Sequence, residues 1–157
     1  MVKVFLVYDT KYGNTKLVAE KIIEGMGEVE GIETAITDVD GVDLEKVAAS
    51  GAIIVGSPNH LGNPARNIEK FIDNLGKLDL KARWAAVFDT YLGEDFEKVV
   101  KKMEKKIGEK ASGFKLIVPG LSIKVNGMKG PIAEGELPKC IDFGKKIANQ
   151  LRQDWHQ

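Results

Sequence analysis

Short apolar runs alternate along the chain with segments in which apolar residues recur every three or four positions. The short runs predict buried strands at residues 2–8, 52–55, 84–88 and 114–118, and a run interleaved with polar residues predicts a weaker strand at residues 33–37. Strands and helices that alternate in this way favour right-handed βαβ crossovers. The sequence therefore predicts an α/β fold in which helices cover both faces of a parallel sheet.

The segments between and after the strands each carry one apolar stripe at helical spacing. The predicted stripes consist of Val18, Ile22 and Met26; of Ile68, Phe71, Ile72 and Leu75; of Phe96, Val99, Val100, Met103 and Ile107; and of Leu137, Cys140, Ile141, Gly144, Ile147 and Leu151. A fifth, shorter helix is predicted around residues 42–49. Because no repeat, low-complexity tract or linker interrupts the pattern, we expect a single domain over residues 1–157.

Composition limits the functions that this fold is expected to serve. Lys plus Arg (23) balances Asp plus Glu (23), so net charge gives no case for nucleic acid or an acidic membrane surface as a partner. The single cysteine, Cys140, is expected in the core, and it excludes an intrachain disulfide and a multi-thiolate metal site within one chain. Redox chemistry would need an organic cofactor. The N-terminal apolar run lacks a cleavage site and no run is long enough to span a membrane, so we expect a cytoplasmic location.

The loop that follows the first predicted strand is suited to a phosphate group. Ligands of such sheets bind beyond the carboxyl ends of the strands. Thr10 and Thr15 offer hydroxyl groups there, Gly13 allows close backbone approach, and Asn14 or Thr15 is expected to cap the following helix. The loop lacks the glycine patterns of P-loop and dinucleotide-binding proteins. A hydroxyl-lined cradle for a monophosphate remains, beside the alternative that these residues only cap a helix.

Two further loops follow the third and fourth predicted strands. Residues 56–64 contain two prolines and two glycines and predict a tight, rigid turn, and residues 89–94 follow the next strand. With strand order 2-1-3-4-5, both loops would lie beside the phosphate loop and form the walls of a flat slot for an aromatic ring system. The candidate apolar contacts are Pro58, Leu61, Tyr91 and Leu92.

Together the three loops resemble those of the flavodoxin family. Thr10, Gly13 and Thr15 match its [ST]-x-x-G-x-T phosphate loop, and residues 56–62 match its G-S-P-x-x-x-G turn beside the flavin ring. The resemblance spans nearly the whole chain and looks closest to the flavodoxin domains of flavodiiron proteins, although the diiron ligand motif is absent. It implies a three-layer, doubly wound, five-stranded parallel sheet of order 2-1-3-4-5 that binds FMN. In flavodoxin, itself the standard example of this arrangement, FMN lies at the switch point between strands one and three.

The resemblance also implies roles for the loop residues. Residues 10–15 would bind the FMN phosphate, with Lys11 a solvated neighbour rather than a counterion, and residues 57–63 would contact the pyrimidine edge and N5 of the ring. Gly62 is the candidate for a peptide rotation beside N5. The predicted cofactor-binding residues are Thr10, Lys11, Tyr12, Gly13, Asn14, Thr15, Ser57, Pro58, Asn59, His60, Leu61, Gly62, Asn63, Asp89, Thr90, Tyr91, Leu92 and Gly93.

Several side chains in these loops carry further expectations. His60 is interpreted either as a pH-dependent switch on the flavin or as a solvent-facing loop residue. Asp89, Glu94 and Asp95 are expected near the ring, where negative charge would disfavour the second reduction and give a low potential. Tyr91 is predicted to stack on the flavin.

One long connection, residues 119–135, exceeds the usual length of a strand-to-helix loop. It is interpreted either as a partner-docking loop or as an extension of the fifth, edge strand followed by a surface turn.

The function that the resemblance implies is FMN-dependent, low-potential electron transfer by a monomer or homodimer. Redox partner proteins would be met in small, transient contacts. The main alternative is an NAD(P)H-dependent flavin or quinone reductase of the same fold, which would need a second pocket over the ring. A phosphoacceptor receiver domain would need an aspartate where this chain has residues 56–58, and a low-molecular-weight phosphatase would need a C-x5-R motif near the first strand.

Overall fold

The computed structural model describes residues 1–80 and 84–155 of the chain, with the backbone alone described at Trp155. Within these residues the strands are β1 (Val2–Tyr8), β2 (Ile32–Asp38), β3 (Ala52–Pro58), β4 (Trp84–Tyr91), β5 (Lys115–Leu116) and β6 (Leu121–Lys124). The helices are α1 (Asn14–Met26), α2 (Leu44–Ala48), α3 (Arg66–Leu75), α4 (Lys98–Lys110) and α5 (Leu137–Trp155), and a short 3-10 turn, Val39–Gly41, precedes α2. None of the described helices has both the length and the apolarity of a membrane span.

The sheet is parallel throughout, and its order β2-β1-β3-β4-β5 confirms the predicted topology. The predicted fifth strand at residues 114–118 is shortened to Lys115–Leu116, and a further edge strand, β6, follows it. Strand β5 pairs with the start of β4, and β6 pairs with the end of β4 from Phe88 to Tyr91. Pro119, which has no N–H to donate to the ladder, lies between them. The edge-strand interpretation of the long connection is therefore confirmed as far as Lys124.

Two apolar cores lie on opposite faces of the sheet, because alternate residues of each strand point to opposite sides. Leu6 of β1 packs with α1 and α5, whereas Val7 packs with α3 and α4. Most residues of the predicted helical stripes are buried, Leu137 and Ile141 are partly buried, and Cys140 lies in the first core as expected. Phe96, which precedes α4, is 58% exposed, because Glu97 has a left-handed backbone (φ 61°) and the helix begins only at Lys98.

Helices α1 and α5 pack with their backbones in direct contact. A Cβ atom at Gly25 would overlap the carbonyl group of Ile141, and one at Gly144 would overlap that of Ile22. The two glycines face each other's helix and permit this close approach. As a result α1, which follows the phosphate loop, is fixed against α5.

Candidate functional site

A cavity of about 580 Å³ opens beyond the carboxyl ends of β1, β3 and β4. This volume lies within the range of small-molecule sites, roughly 300–1,000 Å³. The residues that line it are Thr10, Lys11, Tyr12, Asn14, Thr15, Pro58, Asn59, His60, Leu61, Thr90, Tyr91, Leu92, Asp95, Val125 and Met128. The three loops predicted from the sequence therefore converge on one cavity.

The phosphate loop presents an open helix end to this cavity. Gly13 has a left-handed backbone (φ 91°), and its N–H group donates to Thr10 Oγ1 over 3.0 Å. Helix α1 begins at the next residue, so the expectation that Asn14 or Thr15 caps it is wrong, because both lie within the first turn. Gly13 supplies no side-chain acceptor, and that turn contains no acidic residue. The free N–H groups and the helix dipole suit an anion.

The second loop is a tight turn tied to the third loop. His60 and Asn63 exchange backbone hydrogen bonds of 2.8 and 3.0 Å, and Leu61 and Gly62 between them both have positive φ. Asn59 connects the two loops, since its Oδ1 accepts from Gly62 N–H (2.6 Å) while its Nδ2 donates to Asp95 (2.9 Å). The turn is thereby tight, as predicted, and closed by hydrogen bonds. The proposed rotation of a peptide at Gly62 stays a prediction.

Tyr91, at the end of β4, forms part of the cavity wall. Its side chain is 9% exposed, and its ring packs edge-to-face on Phe96, with ring centres 5.7 Å apart and planes inclined by 68°. Leu61 is fully exposed at the mouth of the cavity, and His60 and Leu92 are also exposed. The walls thus combine one fixed aromatic ring with apolar side chains that face solvent.

Asp89 does not lie where it was expected. Strand β4 continues to Tyr91, so side chains still alternate there, and Thr90 faces the cavity while Asp89 points towards α4. The Asp89 carboxylate is fully buried and accepts from Ser122 Oγ (2.6 Å) and Val100 N–H (3.0 Å). Burial raises its pKa to about 6, although these hydrogen bonds act in the opposite direction. The prediction that this carboxylate lies near the ring is wrong.

Other predicted residues support the loops without lining the cavity. Ser57 is fully buried, where its Oγ accepts from Ala65 N–H (2.8 Å) and donates to the Pro58 carbonyl (2.8 Å). The predicted residues outside the lining are Gly13, Ser57, Gly62, Asn63, Asp89 and Gly93. Of the remaining carboxylates expected near the ring, Asp95 lines the cavity and Glu94 does not.

Two lining residues, Val125 and Met128, were missed by the sequence analysis. Both belong to the long connection after β6, where Val125 N–H donates to the Tyr91 carbonyl over 2.9 Å. The available signal was topological, since the carboxyl end of an added edge strand lies at the same edge of the sheet as the other ligand-binding loops.

The donor set of the cavity fits FMN. A phosphate group matches the acid-free start of α1 with the Thr10 hydroxyl beside it, and the apolar walls formed by Pro58, Tyr91 and Leu92 match a flat ring. Which of these residues contact the cofactor stays a prediction.

Comparison with known proteins gives the same answer. The flavodoxin family model matches residues 6–134. A flavodoxin of Clostridium saccharobutylicum is 29% identical over 162 aligned residues, which cover 96% of this chain and 98% of the relative. A flavodoxin of Aquifex aeolicus is 37% identical over 75 residues, but this match covers only 48% of the chain and 40% of the relative.

Solved structures agree with the sequence comparison. A flavodoxin from the domain Archaea has a TM-score of 0.81 and 26% identity, with 96% of this chain and 99% of that chain covered. Flavodiiron cores share the fold as well. The chain belongs to the flavodoxin family, whose members bind FMN and transfer electrons.

Proposed function

We propose that this protein is a low-potential electron carrier that holds one FMN in the cavity and exchanges electrons with partner proteins. One observation carries the proposal. The loops after β1, β3 and β4 enclose a single cavity that has an anion-receptive helix end and apolar walls. Bound FMN supplies a ring that takes up and releases electrons, and the protein supplies its orientation and surroundings.

The phosphate loop is proposed to orient the cofactor through its phosphate group. The N–H groups at the start of α1 and the Thr10 hydroxyl would donate to the phosphate oxygens. Thr15 and Thr90 both line the cavity, and their hydroxyl oxygens lie 3.0 Å apart, which joins the start of α1 to β4. The phosphate therefore binds to a loop that is attached to the sheet.

Asp95 is proposed to lower the reduction potential. It lines the cavity, where Asn59 holds its carboxylate at 2.9 Å and Lys98 approaches only to 4.0 Å. A negative charge held beside a site that becomes more negative on reduction disfavours that reduction.

Transient contact with partners is supported by the exposed apolar side chains around the mouth of the cavity. These are Tyr12, Leu61, Leu92 and Met128. Exposed apolar surface around a ligand site is typical of protein contact surfaces, and small interfaces of this kind suit short-lived electron transfer.

Titration of the purified protein with FMN, followed by quenching of flavin fluorescence, tests the proposal. We expect one FMN per chain, tighter binding of FMN than of riboflavin, and a potential for the second electron below that of free FMN. Steady oxidation of NAD(P)H by the protein alone would favour the reductase instead. Failure to take up FMN in excess would overturn the proposal altogether.

A further inference from the structure

The connection after β6 forms an ordered hairpin, defined here as residues 125–132. Val125 and Ile132 pair as an antiparallel bridge, Asn126 N–H donates to the Pro131 carbonyl (2.9 Å), and Gly130 N–H donates to the Gly127 carbonyl (2.9 Å). The hairpin is therefore closed by its own backbone and does not depend on a partner protein for its shape.

Its base is fixed to the body of the protein. Val125 N–H donates to Tyr91, the last residue of β4, and Ala133 N–H donates to the Lys124 carbonyl, both over 2.9 Å. The buried Glu136 carboxylate accepts from Lys124 N–H (2.9 Å) and pairs with Lys139 (2.6 Å). The hairpin consequently rises from a rigid base at the edge of the sheet.

The tip of the hairpin contacts the phosphate loop on both sides of Gly13. The Tyr12 hydroxyl donates to the Met128 sulfur over 3.8 Å, and the Lys129 ammonium lies 6.0 Å from the centre of the Tyr12 ring. Gly130 lies against Asn14, so closely that a Cβ atom there would be 2.6 Å from Asn14 Oδ1.

These contacts involve the start of α1, which has no side-chain cap of its own. Asn14 opens α1 directly after a glycine that provides no side-chain cap, so the loop lacks the usual side-chain bond that fixes the start of a helix. Gly130 and Met128 pack against this point from outside. The hairpin therefore contacts the residues on either side of the point where α1 begins.

We propose that the hairpin is a positioning element for the phosphate loop, and that Gly130 and Met128 set the preference of the site for phosphorylated over unphosphorylated flavin. This inference rests on the proposed placement of the FMN phosphate at the start of α1. Gly130 is not among the residues that line the cavity, so riboflavin binding should be insensitive to a change there, whereas Met128 lines the cavity and its removal should weaken FMN binding more than riboflavin binding.

The dissociation constants of FMN and riboflavin for Gly130→Ala and Gly135→Ala test this role. Both glycines have positive φ (99° and 84°), but a Cβ atom at Gly135 would meet nothing within 4 Å. Gly135→Ala therefore reproduces the backbone strain without displacing Asn14. We expect Gly130→Ala to weaken FMN binding by about 5- to 100-fold, from overpacking strain, with riboflavin binding unchanged. We expect Gly135→Ala to leave the ratio of the two constants at its wild-type value.

Met128→Ala tests the same contact without backbone strain, since this side chain is 67% exposed and its removal should not affect folding. Loss of the contact between the Met128 sulfur and Tyr12 should weaken FMN binding by about two- to tenfold, and riboflavin binding by less, so that the ratio of the two constants changes. An unchanged ratio in both Gly130→Ala and Met128→Ala, with normal FMN binding by the wild type, would overturn the role of the hairpin alone. A wild-type protein that binds neither flavin would overturn the proposed function and this inference together.

Discussion

The hydroxyl oxygens of Thr15 and Thr90 lie 3.0 Å apart, and both side chains are buried. Thr15 belongs to the first turn of α1, and Thr90 lies near the end of β4. This hydrogen bond thus connects two of the three chain segments that enclose the cavity, and both side chains also line that cavity.

Removal of one hydroxyl should cost more than removal of both. Thr15→Val or Thr90→Val leaves the other hydroxyl buried without its partner, which we expect to lower the free energy of unfolding by about 1–3 kcal/mol. The double variant should recover part of this loss. Urea denaturation of both single variants, the double variant and Thr34→Val on β2 as a control measures the coupling. Strictly additive losses would show that the two hydroxyls do not stabilise each other.

Asp89 should make stability depend on pH. Because burial raises its pKa from 3.8 to about 6, the folded protein keeps a proton that the unfolded chain releases between about pH 4 and 6. Stability contributed by this group is therefore complete below pH 4 and lost as the pH rises to 6, by about 3 kcal/mol in total. The difference in unfolding free energy between the wild type and Asp89→Asn, measured from pH 4 to 7, should fall across this window. A constant difference would contradict the buried, protonated state.

The contact between α1 and α5 leaves no room for an added methyl group, so we expect such a substitution to lower the stability of the protein. Gly144→Ala places a Cβ atom into the Ile22 carbonyl, which forces the helices apart and should cost about 1–3 kcal/mol or more. Gly108→Ala in α4 is the matched control, because a Cβ atom there meets nothing within 4 Å and alanine favours a helix by about 0.5–1 kcal/mol. The midpoint temperatures of thermal unfolding of the two variants should therefore shift in opposite directions from that of the wild type.

Cys140 should be inert in the folded protein. The side chain is fully buried, and burial raises the pKa of its thiol to about 12, so almost no thiolate forms at neutral pH. We expect iodoacetamide at pH 8 to modify the protein only after denaturation, as followed by mass spectrometry. Rapid modification of the native protein would contradict the packing of α5 described above.

The sequence predicted the strands and helical stripes because hydrophobic periodicity determines them locally. It failed where the direction of a side chain depends on the point at which a strand ends, or on contacts between segments that are distant in the sequence. The fourth strand was predicted to end at Phe88, which would place Asp89 in a loop. The observed strand continues to Tyr91 and directs the Asp89 side chain towards α4. Phe96 continues the spacing of its stripe, but the left-handed backbone at Glu97 separates it from the helix. Met128 reaches the cavity only through a hairpin that local patterns do not reveal.

The glycine contact between α1 and α5 joins two helices that are far apart in the sequence. During synthesis the phosphate loop and α1 leave the ribosome before α5, the helix against which α1 packs. Contacts between such distant segments require a large loop to close, which slows folding. A nascent polypeptide that carries its phosphate loop but not yet α5 thus lacks this support for α1, and we expect it to bind flavin firmly only after α5 has been added.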